Sequence, residues 1–232
     1  MAPCRILGEH PGELPGGGEE RSPDMTERYV KICGLSTPGT VAAAVEAGAD
    51  ALGFIFAPGS VRTVEPAMVR QLIAGIPEAV ETVGVFRNQP LDVVLSTAAA
   101  AGVSTVQLHG DEPLADIRAA QEAGYRTLRA FSAPAYADLS SAGRAEWAAE
   151  RILLDAVDPG AGETFDPSVL AGRAPGGFWL LAGGLTVDNV AALLNSSGAT
   201  GADVSSGVES RRGVKDTGLI RAFIAAARSA AG

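Results

Sequence analysis

The sequence predicts an α/β fold, a single (β/α)8 TIM barrel behind a disordered N-terminal tail, and three observations carry that prediction. From Arg28 onward, short β-branched or apolar runs alternate with Ala-rich stretches of helical period, in units of about 22 to 30 residues. Eight strand-like runs can be counted, where a doubly wound sheet would show roughly five or six. No G-x-G-x-x-G turn follows the first run, which ends at Cys33.

The 232 residues are 47% apolar, 19% charged and 5% aromatic, enough for one large core. Acidic side chains outnumber basic ones 27 to 18 and no Lys/Arg-rich block occurs, so no nucleic-acid partner is expected. No apolar run reaches the roughly 18 to 20 residues of a membrane-spanning helix, and the N-terminus lacks a signal-peptide layout. A cytoplasmic protein with no membrane partner is expected. Cys4 and Cys33 cannot make a disulfide framework, and no Cys/His cluster has zinc-ligand spacing, so no metal site is expected.

Residues 1–24 hold four prolines and five glycines without hydrophobic period, a segment that cannot repay its ordering entropy. It reads as a disordered tail or an over-extended start before Met25, leaving 25–232 as the barrel domain. The tail takes Cys4 and His10 with it, so the body has one cysteine, Cys33, and one histidine, His109. Strands are expected at 29–33, 51–56, 82–86, 105–109, 127–131, 152–155, 178–182 and 202–205. Helices are expected at 39–47, 66–75, 91–101, 113–123, 187–194 and 217–230. Gly48-Ala49-Asp50, Gly102-Val103-Ser104, Gly124-Tyr125-Arg126 and Gly201-Ala202-Asp203 each precede a strand, the chemistry of short αβ loops. Between 132 and 151, Pro134 and the polar run around Ser140 break the helical signal, and a shorter or displaced helix is expected.

Barrel chemistry is carried at the C-terminal ends of strands and in the loops that follow them. Those positions include Cys33, the 57–62 loop, Arg87 and Asn88, His109, Asp155, Gly183-Gly184 and Ser206-Gly207. Cys33 reads either as a small buried hydrophobe or as a reactive thiol. Lys31 shares its strand face, so a cation beside the thiol would favour thiolate; Lys31 also reads as half of an ion pair inside the barrel. Asp155 closes the apolar run Ile152-Leu153-Leu154, delivering one carboxyl to the rim, where a half-apolar setting suits a general acid. An N-cap or salt bridge is its structural alternative. The turns Gly183-Gly184 and Ser206-Gly207 expose backbone N–H groups where barrels hold phosphate. Arg62 offers a fork suited to a carboxylate, or is a solvated loop charge, and His109 reads as a structural hydrogen-bonding group or a ligand contact.

Together these segments resemble the phosphoribosylanthranilate isomerase family, over about Val30 to Phe223. The resemblance rests on Lys31-Ile32-Cys33-Gly34-Leu35, on 48–58, on Val83-Gly84-Val85-Phe86 and on Val106-Gln107-Leu108-His109-Gly110-Asp111-Glu112. It continues through Leu181-Ala182-Gly183-Gly184-Leu185, through 203–209 and through Lys215-Asp216. It implies an Amadori rearrangement of a phosphoribosyl anthranilate in tryptophan biosynthesis, without metal or cofactor. It further implies Asp155 as general acid, Cys33 as general base, Arg62 near the anthranilate carboxylate, and Gly183, Gly184, Ser206 and Gly207 around phosphate.

Two loops depart from the family's pattern. Pro159, Ala161 and Glu163 replace residues of a Gly-Gly-Thr-Gly-Lys-Thr-Phe-like stretch, which bears on lid closure and phosphate clamping. Val61 stands where Pro is usual, which loosens the expected hold on Arg62. The rival readings are a histidine-pathway phosphoribosyl sugar isomerase or bifunctional barrel, against which Cys33 and the single phosphate-like site speak, and a catalytically silent barrel that binds a phosphometabolite. A small-molecule substrate and a monomer or homodimer are expected.

Overall fold

The computed structural model describes residues 27–155, 167–170 and 172–230. The tail at 1–24 and the departures at Pro159, Ala161 and Glu163 lie outside these described residues.

In chain order the elements are β1 (Tyr29–Cys33), α1 (Pro38–Glu46), β2 (Ala51–Ile55), α2 (Pro66–Ile73), β3 (Glu81–Phe86) and α3 (Leu91–Ala101). There follow β4 (Thr105–Leu108), α4 (Leu114–Glu122), β5 (Arg126–Ser132), α5 (Ala133–Asp138), α6 (Ser141–Glu146) and β6 (Ile152–Asp155). After a 3-10 turn at Pro167–Leu170 come β7 (Trp179–Leu181), α7 (Val190–Ser197) and β8 (Gly201–Val204). The chain then makes a second 3-10 turn (Ser206–Val208), a hairpin of β9 (Glu209–Arg211) and β10 (Val214–Lys215), and α8 (Thr217–Arg228). Strands β1 to β8 pair in parallel, each with the next, and β8 closes back on β1 with Lys31 opposite Asp203.

Strand alternation divides the barrel into an inner and an outer packing layer. On the outer faces, Val30, Ile32, Leu52, Phe54, Val106 and Leu108 pack against the helices. Helix α8 meets them with Ile220, Phe223, Ile224 and Ala227, an i, i+3, i+4, i+7 stripe. Fully burying each of its large apolar side chains is worth roughly 1.5–3 kcal/mol. On the inner faces, one apolar cluster comes from β5 to β7 (Leu128, Ala130, Leu153, Leu180, Ala182) and another from β1 to β3 (Cys33, Ala51, Val83, Val85). Strands β4 and β8 bring the buried polar residues Gln107 and Asp203 into the same interior.

All eight strands fall within one residue of the positions read from the sequence. The 132–151 segment holds two short helices, each capped by a serine: Ser132 accepts from the Ala135 N–H and Ser140 from the Gly143 N–H. Pro134 lies in the first turn of α5, where its missing N–H costs no helical bond. Helix α7 begins later than the expected 187, because Asn189 accepts from the Thr186 N–H at 2.8 Å and turns 186–189 into a separate loop. The β9–β10 hairpin was not expected.

The N-terminal end of the barrel is closed by a carboxylate. Glu81 receives Arg151 through two bonds, at 2.7 and 2.9 Å, and hydrogen bonds from the Tyr29 and Thr105 hydroxyls. Burial alone would raise this carboxyl; the Arg151 bonds and charge outweigh it and hold it at about 2.

Candidate active site

At the opposite end, a cavity of about 180 Å³ opens among the loops that follow the strands. Cys33, Arg62, His109, Asp155, Gly183, Gly184, Ser206 and Gly207 all line it. Lys31 lies beneath, fully buried, with Nζ 2.8 Å from Asp203 Oδ1.

Cys33 ends β1 and is 6% exposed. Its thiol lies against Gly53 of β2, the strand it pairs with: a Cβ there would come 2.9 Å from Cys33 Sγ and 3.2 Å from Lys31 Nζ, so glycine makes room for both. The expectation that Lys31 would make this thiol acidic is corrected by depth. Lys31 and Lys215 pull it down, but burial, with Asp203 adding to it, pushes it above the ordinary thiol value. The Lys31 charge is itself committed to Asp203.

Arg62 is held more firmly than Val61 suggested. Its Nε and Nη2 donate to the two oxygens of Glu209 at 2.6 and 2.9 Å. The hairpin supplies this partner, and Glu209 also accepts from Lys215 Nζ at 2.8 Å and from the Gly213 N–H at 2.9 Å. Burial opposes ionisation of Glu209, yet these donors hold its carboxyl at about 2. Nη1 is the guanidinium nitrogen left outside the Glu209 fork. Sequence reasoning missed Glu209 and Lys215 as a device; the only signal was the turn-forming Gly213 in Arg211-Arg212-Gly213. Asp216 next to them accepts from the Leu219 N–H at 2.9 Å and caps α8.

The two glycine turns meet. Gly207 packs so tightly on the Leu185 carbonyl that a Cβ would stand 1.8 Å from its oxygen, so no other residue fits there. Among the described residues, no backbone acceptor takes the N–H of Gly183 or Gly184, and both residues line the cavity. Such a pair of open amide turns can hold an oxyanion.

Strand β4 carries Gln107 on its inward face, and His109 follows the strand's last residue on the same side. Arg129 on β5 braces this end of β4 by donating to the carbonyls of Leu108 (3.1 Å) and Gly110 (2.8 Å). Glu112 accepts from the N–H groups of Gly110 and Asn88. His109 Nε2 stands 3.4 Å from Asp155 Oδ2, across β5. Among the described residues, no three His, Cys, Asp or Glu side chains gather as a metal centre requires, and no helix is long and apolar enough to cross a membrane.

Residues 30–226 match the family model described as N-(5'-phosphoribosyl)anthranilate (PRA) isomerase. A relative of that name from Rhodospirillum rubrum is 40% identical over 216 residues, 88% of this chain and 99% of its own. The crystal structure of TrpF from Jonesia denitrificans is 42% identical, with a TM-score of 0.75 over 88% of this chain and 98% of that one. A phosphoribosyl anthranilate isomerase solved with reduced 1-(o-carboxyphenylamino)-1-deoxyribulose 5-phosphate is 34% identical, with a TM-score of 0.74 over 86% of this chain and 98% of that one. With the eight-stranded barrel and the cavity at its C-terminal mouth, these matches place the chain in the N-(5'-phosphoribosyl)anthranilate isomerase family.

Proposed function

We infer that the protein converts N-(5-phosphoribosyl)anthranilate to 1-(2-carboxyphenylamino)-1-deoxyribulose 5-phosphate, a step of tryptophan biosynthesis, by acid and base groups of its own chain. The observation that carries this reading is one cavity lined by a single thiol, by the carboxyl of Asp155 apart from the Lys31-paired Asp203, and by two turns of open backbone amides.

Asp155 gives its proton to the ribose ring oxygen as the nitrogen lone pair expels it from C1, leaving an open-chain Schiff base. Cys33 then removes the C2 proton, and the electrons of that bond neutralise the iminium to form an enolamine. Gain of a proton at C1 and loss of one from the C2 hydroxyl give the ketose and restore both groups. Each acid or base step contributes on the order of 10² to 10⁴ in rate. This step uses Cys33 as thiolate: burial works against that charge, while Lys31, Lys215 and the iminium cation made in the first step work for it. The Gly183-Gly184 and Ser206-Gly207 turns hold the phosphate, and Arg62, through Nη1, meets the anthranilate carboxylate.

All of these groups come from one chain, so the reading holds for a monomer and a homodimer alike. A phosphorylated substrate that cannot cross a bilayer unaided supports a cytoplasmic location. The catalytic unit is residues 25–232, and a chain lacking 1–24 is expected to turn over at the full rate. The test is to offer freshly generated phosphoribosylanthranilate to the purified protein and follow loss of its fluorescence. Consumption with first-order dependence on enzyme supports the reading; a folded protein that leaves the substrate intact removes it.

A further inference from the structure

We propose that Gln107 is a positioning residue: it fixes His109 as the Nε2–H tautomer, which directs the proton of Asp155 toward the substrate. The inference rests on the isomerase reading above and deepens it.

Gln107 is fully buried on β4. The two-residue strand period puts it and His109 on the same inward face, and its Nε2 lies 3.2 Å from His109 Nδ1. With the amide nitrogen on this side, the carboxamide donates and Nδ1 accepts, and a neutral imidazole then carries its proton on Nε2. That Nε2 is sealed from solvent and has no hydrogen-bond partner among the described residues, and Asp155 Oδ2 stands 3.4 Å away. The Arg129 and Glu112 contacts on either side of His109 fix the backbone from which the ring is aimed. A small rotation of the ring as substrate binds closes the remaining gap, as catalytic hydrogen bonds often do.

The tautomer decides where the acid proton goes. An Nε2–H aimed at Oδ2 makes Oδ2 the accepting oxygen of the carboxyl, so the transferable proton resides on Oδ1. After transfer, the same N–H stabilises the carboxylate. The opposite tautomer would present a lone pair to Oδ2 and draw the proton to the imidazole, away from the ribose oxygen. The other half of the Gln107 amide speaks for this role over packing. Its Oε1 is buried without a hydrogen-bond partner among the described residues, an arrangement that costs about 1–3 kcal/mol and that an apolar side chain would avoid.

The experiment reads the tautomer directly. Long-range ¹H–¹⁵N spectra of the full chain in mildly alkaline buffer resolve its two histidines, and a His10→Gln variant assigns His109. The expected result is a neutral His109 ring protonated at Nε2 in the wild type. In Gln107→Leu that preference is lost, and kcat falls about tenfold with KM within about twofold, the pattern of an interaction made in the transition state. Gln107→Glu, whose carboxylate accepts from Nδ1–H, is expected to reverse the tautomer and supplies a second variant of nearly equal size. A wild-type ring protonated at Nδ1 overturns the proposal, whether or not Gln107→Leu folds, and so does a folded Gln107→Leu with unchanged kcat. A wild-type protein without isomerase turnover would instead sink the functional reading, because the spectrum reports the ring independently of activity.

Discussion

The two ends of this barrel solve the same problem in opposite ways. Each places a carboxylate among cations: Glu81 at the N-terminal end and Glu209 at the mouth, both held at about 2. Around Glu81, every neighbour is spent on it. Arg151 gives two bonds, Tyr29 and Thr105 give hydroxyls, and Arg151 stacks over Phe178 at 4.5 Å. The mouth is left unfinished. Glu209 organises Arg62 and Lys215, but the amides of Gly183 and Gly184, the Nε2 of His109 and the Oε1 of Gln107 remain without hydrogen-bond partners among the described residues. Completed hydrogen bonding marks the end that stabilises; incomplete hydrogen bonding marks the end that awaits a ligand.

This contrast can be broken by exchanging which property each end controls. Asp155→Asn should lower turnover by roughly 10² to 10⁴ while the melting temperature stays within a few degrees, since the amide keeps the shape of the rim. Glu81→Leu should do the reverse. It leaves Arg151 and Tyr29 without their acceptor and should cost about 3–5 kcal/mol in denaturant unfolding, with the folded fraction turning over normally. A Glu81 carboxyl depressed to about 2 also makes stability depend on acid. Its contribution, about 3 kcal/mol, is present above the unfolded value near 4.5 and is lost as pH falls from there through 2. Urea titrations across that window should show this loss in the wild type and not in Glu81→Leu. Glu209→Gln sharpens the comparison at the mouth. With Arg62 and Lys215 no longer held in place by a carboxylate, KM should rise about tenfold, about 1.4 kcal/mol, with a smaller effect on kcat.

The same contrast explains what could be read from the sequence. Strand positions were legible because β-branched runs, glycine junctions and the alternation of Lys31 with Cys33 are local. The rim residues followed from the rule that barrels work at their strand ends, applied to the Cys33, His109 and Asp155 positions. Glu81 was invisible, because a carboxylate heading an apolar run reads as loop until Arg151, 70 positions later, arrives beside it. Glu209 and Arg62 are 147 positions apart, and the hairpin that joins them has strands too short to carry a period. Burial outweighs the lowering effect of Lys31 on Cys33, because spacing conveys which charges are near but not how deep a thiol lies.

The most direct test is turnover of phosphoribosylanthranilate by the wild type and by Cys33→Ala at matched folded concentration. The account predicts rapid loss of substrate fluorescence in the wild type and a fall of at least about 10² in kcat in the variant, with the melting temperature preserved. A Cys33→Ala protein that turns over at the wild-type rate would contradict it.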